Sequence, residues 1–286
     1  MLSEELKKRI SELNRKEIRI FPLSEKNRMK KEDVKDEKNV GFQLEKFLKG
    51  EVIHNDFGCF LKISKRLGEL INHSEQFTSN YKFTFKTGGY DGNLDMLHQD
   101  LKKFFEINCE ESLFIDLETC GLISSPIFLV GLMHFENDDF SLEQLFARDY
   151  TEEKPLLAYL EDLMKRFKLI VSFNGKAFDY PYLMERGFLY NIRFDPYFPH
   201  FDILSESRRR WKEYLPDCKL KTIEQNILRR RRINDIPGNE IPDVYHEFVR
   251  TGNFTRIKSI LNHNLLDLVT MGELVLYMFT GSAGNL

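Results

Sequence analysis

Apolar residues in this chain follow two rhythms, and the change between them organises the reading. Between residues 113 and 147 they come in short runs, at 113–117, 127–135 and 140–147, separated by polar or turn residues. Such runs predict three consecutive strands in a meander. Beyond residue 150 the spacing becomes helical at 152–167, returns to a short apolar run at 169–173, and becomes helical again at 177–188. A short strand is predicted at 200–204, and helices at 206–214, 220–228, 244–250 and 255–278. Three strands, then alternating helix and strand, then helices, predict an α/β domain with a mixed sheet flanked by helices.

The pattern before residue 110 is less regular. Ser3 followed by Leu6, Ile10 and Leu13 predicts a short amphipathic helix, and the nearly all-polar stretch 25–39 reads as solvated. Residues 57–61 read as a strand, as does 81–85, where Tyr81, Phe83 and Phe85 alternate with polar residues. Gly88, Gly89 and Gly92 mark a turn, and 94–105 has helical spacing. These features predict an α+β extension over 1–110, a main domain over 111–280 and a tail over 281–286.

Composition narrows the class. The chain has 286 residues, 42% of them hydrophobic, enough for a sizeable core in one domain plus an extension. A formal charge of -3 does not announce a polyanion partner, although basic residues are locally clustered. Cys59, Cys109, Cys120 and Cys218 form no CxxC pair, which argues against a zinc knuckle or a disulfide framework and fits reduced thiols in a cytoplasmic setting. No run reaches the roughly 18 apolar residues that suggest a membrane span, and the charged N-terminus lacks the apolar core of a signal peptide.

Candidate chemistry begins at Asp116-Leu117-Glu118, at the end of the first strand of the meander. On a strand, residues i and i+2 share a face, so the two carboxylates stand side by side. Two like charges that close are tolerated when a cation sits between them, and all-oxygen ligands favour Mg²⁺ or Mn²⁺ over zinc. A second candidate is Asn174-Gly175-Lys176-Ala177-Phe178-Asp179, where an apolar strand runs through a polar turn into a helix. Asp179 in that first turn also suits an ordinary electrostatic role at a helix N-terminus, and Asn174 either forms the turn or meets a substrate phosphate. Third is His263-Asn264-Leu265-Leu266-Asp267, whose i, i+4 spacing sets His263 and Asp267 on one helix face. An exposed His–Asp pair is the ordinary reading of that spacing; a metal-ligating acid beside a general base is the functional one.

In that order and at those separations, the three segments resemble the three motifs of the DEDD exonuclease superfamily, whose members have a ribonuclease-H-like fold. The resemblance extends further, to the YprB-like predicted exonuclease family. It is carried by the stretches 114–122, 173–179, 200–204, Arg208-Arg209-Arg210-Trp211-Lys212, 217–224, Asp235-Ile236-Pro237-Gly238 and 263–267. It covers about residues 110–280 and implies a ribonuclease-H-like sheet for the main domain. It also implies that Asp116, Glu118, Asp179 and Asp267 bind metal, and that the activity is 3′→5′ hydrolysis at nucleic-acid ends. Chemistry supports the same four acids, since two divalent ions about 4 Å apart activate water and stabilise the leaving oxygen of a phosphodiester. Asp116 is expected to bridge both ions, Glu118 and Asp267 to hold the water-side ion, and Asp179 the other. One departure stands out. Superfamily members with a catalytic histidine place it five residues before the last aspartate, the tyrosine subclass four, and His263 stands at the tyrosine spacing. His263 is accordingly expected either as general base or as a substrate contact. Asp202 is expected as a structural acid capping the next helix, and Asp235 as a turn former.

Basic residues supply a route to the substrate: Lys176, Arg208, Arg209, Lys212 and Lys221 are candidate phosphate contacts, with Arg229 to Arg232 a further cluster. Trp211 is either a base-stacking platform or core, and Phe178 is expected in the core. The leading expectation is a 3′→5′ exonuclease with two Mg²⁺ or Mn²⁺ ions acting on single-stranded DNA or RNA ends. Two alternatives are a structure-selective endonuclease on the same fold and a non-catalytic nucleic-acid-binding module. Packing four acids together is costly for a module that only binds.

Overall fold

The computed structural model describes residues 44–86, 97–121 and 124–280. The readings made for 3–13, 25–39, 88–92 and 281–286 lie outside the described residues.

The meander is formed by β3 (Ser112–Thr119), β4 (Ile127–Glu136) and β5 (Asp139–Phe146), following β1 (Glu51–Asn55) and β2 (Gly58–Arg66). Asn137 and Asp138 both take positive φ, 51° and 60°, as a two-residue hairpin turn between β4 and β5 requires, and each tolerates that conformation. Two further strands are reached through helices: β6 (Leu169–Ser172) through α2 (Glu153–Met164), and β7 (His200–Asp202) through α3 (Asp179–Leu189). All seven strands form one sheet of order β1-β2-β5-β4-β3-β6-β7. β1 to β5 pair antiparallel, whereas β3–β6 and β6–β7 pair parallel. The described part of the segment before residue 110 therefore adds strands to the same sheet, with β2 paired to β5.

β3 is where the sheet changes from antiparallel to parallel. The carboxyl ends of β3, β6 and β7 consequently open at one edge, the usual place for a site in an open α/β sheet. Along β3, Leu113 and Ile115 enter one apolar cluster and Phe114 the other. Strand alternation then carries Asp116 and Glu118 to the face of Phe114. That face is covered by α1 (Ser74–Phe85) and the long α7 (Ile257–Thr280), through Phe77, Tyr81, Leu268 and Val275. The opposite cluster takes Leu156, Leu160, Leu183 and Tyr245 from α2, α3 and α6 (Ile241–Thr251). Two shorter helices, α4 (Ile203–Trp211) and α5 (Leu220–Asn226), follow β7.

Two expectations are corrected. Residues 81–85 are the last turn of α1, not a strand. Phe77, Tyr81 and Phe85 lie on one helical stripe and are buried, while Phe83, which alternation placed with them, is 61% exposed. A five-residue window was too short to separate the two periods. The described part of 94–105 forms only a short turn of helix, Gln99–Lys102, and a 3₁₀ turn, Lys103–Phe105, rather than one continuous helix.

Candidate active site

The strand carrying Asp116 and Glu118 is flanked by β4 and β6, and its register shifts between Glu118 and Thr119, where pairing with β4 becomes irregular. The second segment leaves β6 at Ser172 in a tight turn. Asn174 takes φ 67°, a conformation asparagine accepts better than most residues. A side chain at Gly175 would put its Cβ 2.2 Å from Ser172 Oγ and 2.9 Å from Asp179 Oδ2, so the close approach requires glycine. Asp202 holds this turn: its carboxylate accepts from the backbone N–H of Asn174 at 2.9 Å, of Lys176 at 3.2 Å and, as the N-cap of α4, of Leu204 at 3.0 Å. Asp202 is thus structural, as expected. Asp179 then opens α3.

The third segment lies on α7, which packs across β3 and β4. Asn264 is fully buried and donates from Nδ2 to Asp116 Oδ2 at 2.8 Å. His263 donates from Nδ1 to Asp235 Oδ1 at 2.7 Å and has Nε2 3.6 Å from Asp267 Oδ2. Asp267 Oδ1 is 2.5 Å from Nη2 of Arg232, whose side chain is only 3% exposed and also bonds Glu224 at 2.6 Å. Arg230 is buried too, bridging Glu224 and Glu273. The run Arg229 to Arg232 is therefore not the exposed phosphate-binding cluster its sequence suggested. Two of its four arginines turn inward to acids 3 to 43 residues away in the chain.

Electrostatics ties the four acids together. Burial holds the Asp116 carboxyl far above the usual carboxylate range, and the charges of Asp267, Glu118 and Asp179 add to this, against the Asn264 hydrogen bond. Glu118 is pushed up to about 8 by burial, partly opposed by His263 and reinforced by Asp267, Asp179 and Asp235. Asp179 is pushed up to about 7, again chiefly by burial; its backbone hydrogen bond opposes this, and Asp202 and Asp267 reinforce it. His263 is raised despite its burial, through the hydrogen bond to Asp235 and the charge of Asp267. Asp116, Glu118 and Asp179 all feel the charge of Asp267, and Asp116 and Glu118 also feel that of Asp179, so β3, α3 and α7 bring all four into one neighbourhood. Among the described residues, however, no three His, Cys, Asp or Glu side chains are closed around a point that could hold an ion. Asp267 is instead turned to Arg232. The donor set is nonetheless the right one for a hard divalent ion: oxygen only, half-buried, and repelling until a cation neutralises it.

The basic candidates are more scattered. Lys176 is exposed on the turn before Asp179, and the charge of Lys221 is felt at Asp235. Arg209 pairs with Glu206 at 3.0 Å and lies 3.8 Å from Asp100, while Arg208 and Lys212 are exposed along and just after α4. Trp211 is half-buried, with its ring 6.0 Å from that of Tyr277. Phe178 is not in the core; it is 66% exposed beside Asp179. Sequence reading missed Asn264, Arg232 and Asp235 as parts of the site. Asp235 was read only as a turn former and Arg232 only as part of a basic cluster, while Asn264 stood out as a polar residue on the apolar side of α7 between His263 and Asp267.

A family model described as the RNase_H superfamily matches residues 113–279. The chain is 32% identical over 171 residues to the uncharacterized protein YprB of Bacillus subtilis (strain 168), a stretch covering 58% of this chain and 41% of that protein. Among solved structures, the family B DNA polymerase from the hyperthermophilic archaeon Pyrobaculum calidifontis aligns with a TM-score of 0.44 and 17% identity, over 58% of this chain and 24% of the polymerase. The matched stretch is thus less than half the length of either relative.

Proposed function

Because the chain belongs to the RNase H superfamily, its sheet being of that type, we propose that it is a metal-dependent nuclease, and specifically a 3′→5′ exonuclease acting on single-stranded ends. The observation that carries this reading is that Asp116, Glu118 and Asp179 are each raised in part by the charge of Asp267, four acids from three separate elements half-buried at one sheet edge. Acids so arranged are costly for a folded protein without a cation, and the cost is intelligible where the cation serves phosphodiester hydrolysis.

In this reading the four carboxylates hold two Mg²⁺ or Mn²⁺ ions, which when bound supply charge neutralisation at the scissile phosphate and a more acidic water. His263 accepts a proton from the attacking water through Nε2, the ring nitrogen not engaged by Asp235. Asp235 fixes that tautomer and orients the ring. Lys176 and Asn174, on the turn before Asp179, contact the phosphates nearest the cleaved bond, and Arg208, Arg209, Lys212 and Lys221 contact the strand beyond it. Each phosphate contact adds salt dependence to binding.

The test is digestion of single- and double-stranded DNA and RNA, labelled at either end, with Mn²⁺ at several salt concentrations. Shortening from the 3′ end with release of mononucleotides is expected, with none from Asp116→Asn. A closed circular strand separates the alternatives: an exonuclease leaves it intact and an endonuclease linearises it. Turnover retained in folded Asp116→Asn removes the assignment, and salt-sensitive binding with no turnover leaves a binding module.

A further inference from the structure

Asp116 on β3, Gly131 on β4 and Gln144 on β5 occupy one row across three strands: Asp116 pairs with Gly131, and Gly131 with Gln144. Side chains in such a row share a face, so Gly131 leaves a gap between an acid and an amide. Asn264, from α7, fills that gap. A Cβ on Gly131 would lie 2.2 Å from Asn264 Oδ1 and 2.4 Å from Nδ2, so the row admits the asparagine only because its middle member has no side chain.

The hydrogen bonds through the gap run in one direction. Gln144 Nε2 donates to Leu261 O at 2.9 Å and to Asn264 Oδ1 at 2.8 Å. With its oxygen so engaged, Asn264 turns Nδ2 to Asp116, donating to Oδ2 at 2.8 Å and to the backbone carbonyl at 3.3 Å. The reversed amide would set two N–H donors together at the Gln144 end and two oxygens together at the Asp116 end. Gln144 and Asn264 are 1% and 0% exposed, so water does not compete for these bonds.

We infer that Gln144, Gly131 and Asn264 form a positioning relay that fixes the rotamer of Asp116 and reserves its Oδ1 for a divalent ion. Gln144 touches neither ion nor substrate and acts only through Asn264. A hydrogen-bonded outer partner of this kind changes metal affinity or activity by about 10–100-fold when removed. The relay rests on the nuclease reading for its purpose, while its effect on ion binding is measurable without turnover.

The experiment uses the full chain with Asn264→Leu, Gln144→Met and Gly131→Ala. Mn²⁺ binding is measured by calorimetry, kcat and KM on an end-labelled single strand, and folding by circular dichroism and denaturant titration. Each folded variant is expected to bind Mn²⁺ about tenfold or more weakly and to lose kcat by about 10–100-fold with KM nearly unchanged. Gln144→Met and Gly131→Ala stand in should Asn264→Leu fail to fold, since they disturb the same amide from either side. Folded variants with wild-type Mn²⁺ affinity and kcat overturn the relay and leave the nuclease reading intact. Relay-dependent Mn²⁺ affinity in a chain that hydrolyses no nucleic acid supports the relay and removes the nuclease reading. A wild-type chain that binds no Mn²⁺ overturns both.

Discussion

His263 on α7 and Asp235, in the loop between α5 and α6, are joined by a 2.7 Å hydrogen bond from Nδ1 to Oδ1. The sequence gives Asp235 as a turn residue, yet it orients the one histidine among the expected site residues. Burial disfavours charge on His263, but Asp235 and Asp267 together raise its pKa above the ordinary value. A raised histidine stabilises the fold below the unfolded-state pKa and loses that contribution as pH rises through the folded one. Asp235→Asn is therefore expected to lower the His263 midpoint, followed through its imidazole proton resonances, and to reduce kcat. His263→Ala is expected to cost about 10²-fold or more if the residue is the general base. An unchanged titration in Asp235→Asn contradicts the pairing, and full activity in His263→Ala contradicts the role.

Gly175 lies where the turn after β6 comes closest to Asp179. An added methyl meets Ser172 Oγ and Asp179 Oδ2, so either the turn or the acid must move. Small displacements of reacting groups are expensive, a shift near 1 Å costing about 10²-fold in rate. Gly175→Ala is expected to reduce activity on that scale while remaining folded, because the turn is partly at the surface. Wild-type kcat in this variant would show that Asp179 tolerates displacement.

Much of the fold was legible because its elements are long and their periods distinct. β3, β4 and β5 are apolar runs ended by turn residues, and α7 is a 24-residue helix rich in leucine, valine and methionine. The α1 stripe was not, because Tyr81, Phe83 and Phe85 satisfy alternation over five residues while Phe77, needed to see the helical period, stands outside that window. The acids showed through spacing along single elements. Their partners did not, because each pairing is between distant parts of the chain: Asn264 with Asp116, 148 residues away, His263 with Asp235, and Arg232 with Asp267. A run of four arginines looks alike in sequence whether it meets phosphates or buried carboxylates.

His200 gives a pH dependence outside the four acids. It is buried on β7, its Nε2 lies 2.6 Å from Ser172 Oγ, and burial lowers its pKa to about 4 despite the nearby Asp202. A histidine with a depressed folded pKa is neutral in the fold and takes up its proton on unfolding. Its contribution is present above about 6.5 and lost as pH falls from there toward about 4. Denaturant titrations at pH 7.5 and 4.5 are expected to show a loss of about 2–3 kcal/mol from this group. His200→Gln should lose correspondingly less over the same interval. Equal losses in both proteins would place the acid sensitivity elsewhere.

Glu153 and Arg186 anchor the helix that presents Asp179, from its far end. Arg186 Nε donates to Glu153 Oε1 at 2.7 Å and Nη2 to Oε2 at 2.5 Å. Glu153, fully buried at the start of α2, also accepts from Ile127 N at 2.8 Å and Tyr190 Oη at 2.8 Å. Arg186 Nη1 reaches Ser124 O at 2.9 Å, so one ion pair ties α2, α3 and the β3–β4 connection together. Its net contribution relative to an apolar pair is small, because both charges are desolvated. Removing one partner is another matter, since the other charge is left buried and unpaired at a cost of about 3–5 kcal/mol. Glu153→Gln and Arg186→Met are each expected to lose stability on that scale by denaturant titration. Arg186→Met combined with Glu153→Leu should lose clearly less than the sum of the single changes. Because Arg186 is about two turns of α3 from Asp179, kcat of the folded fraction should stay close to wild type. Additive losses would show that the pair is not coupled, and a collapse of kcat in a stably folded Arg186→Met would make this ion pair part of the positioning of Asp179.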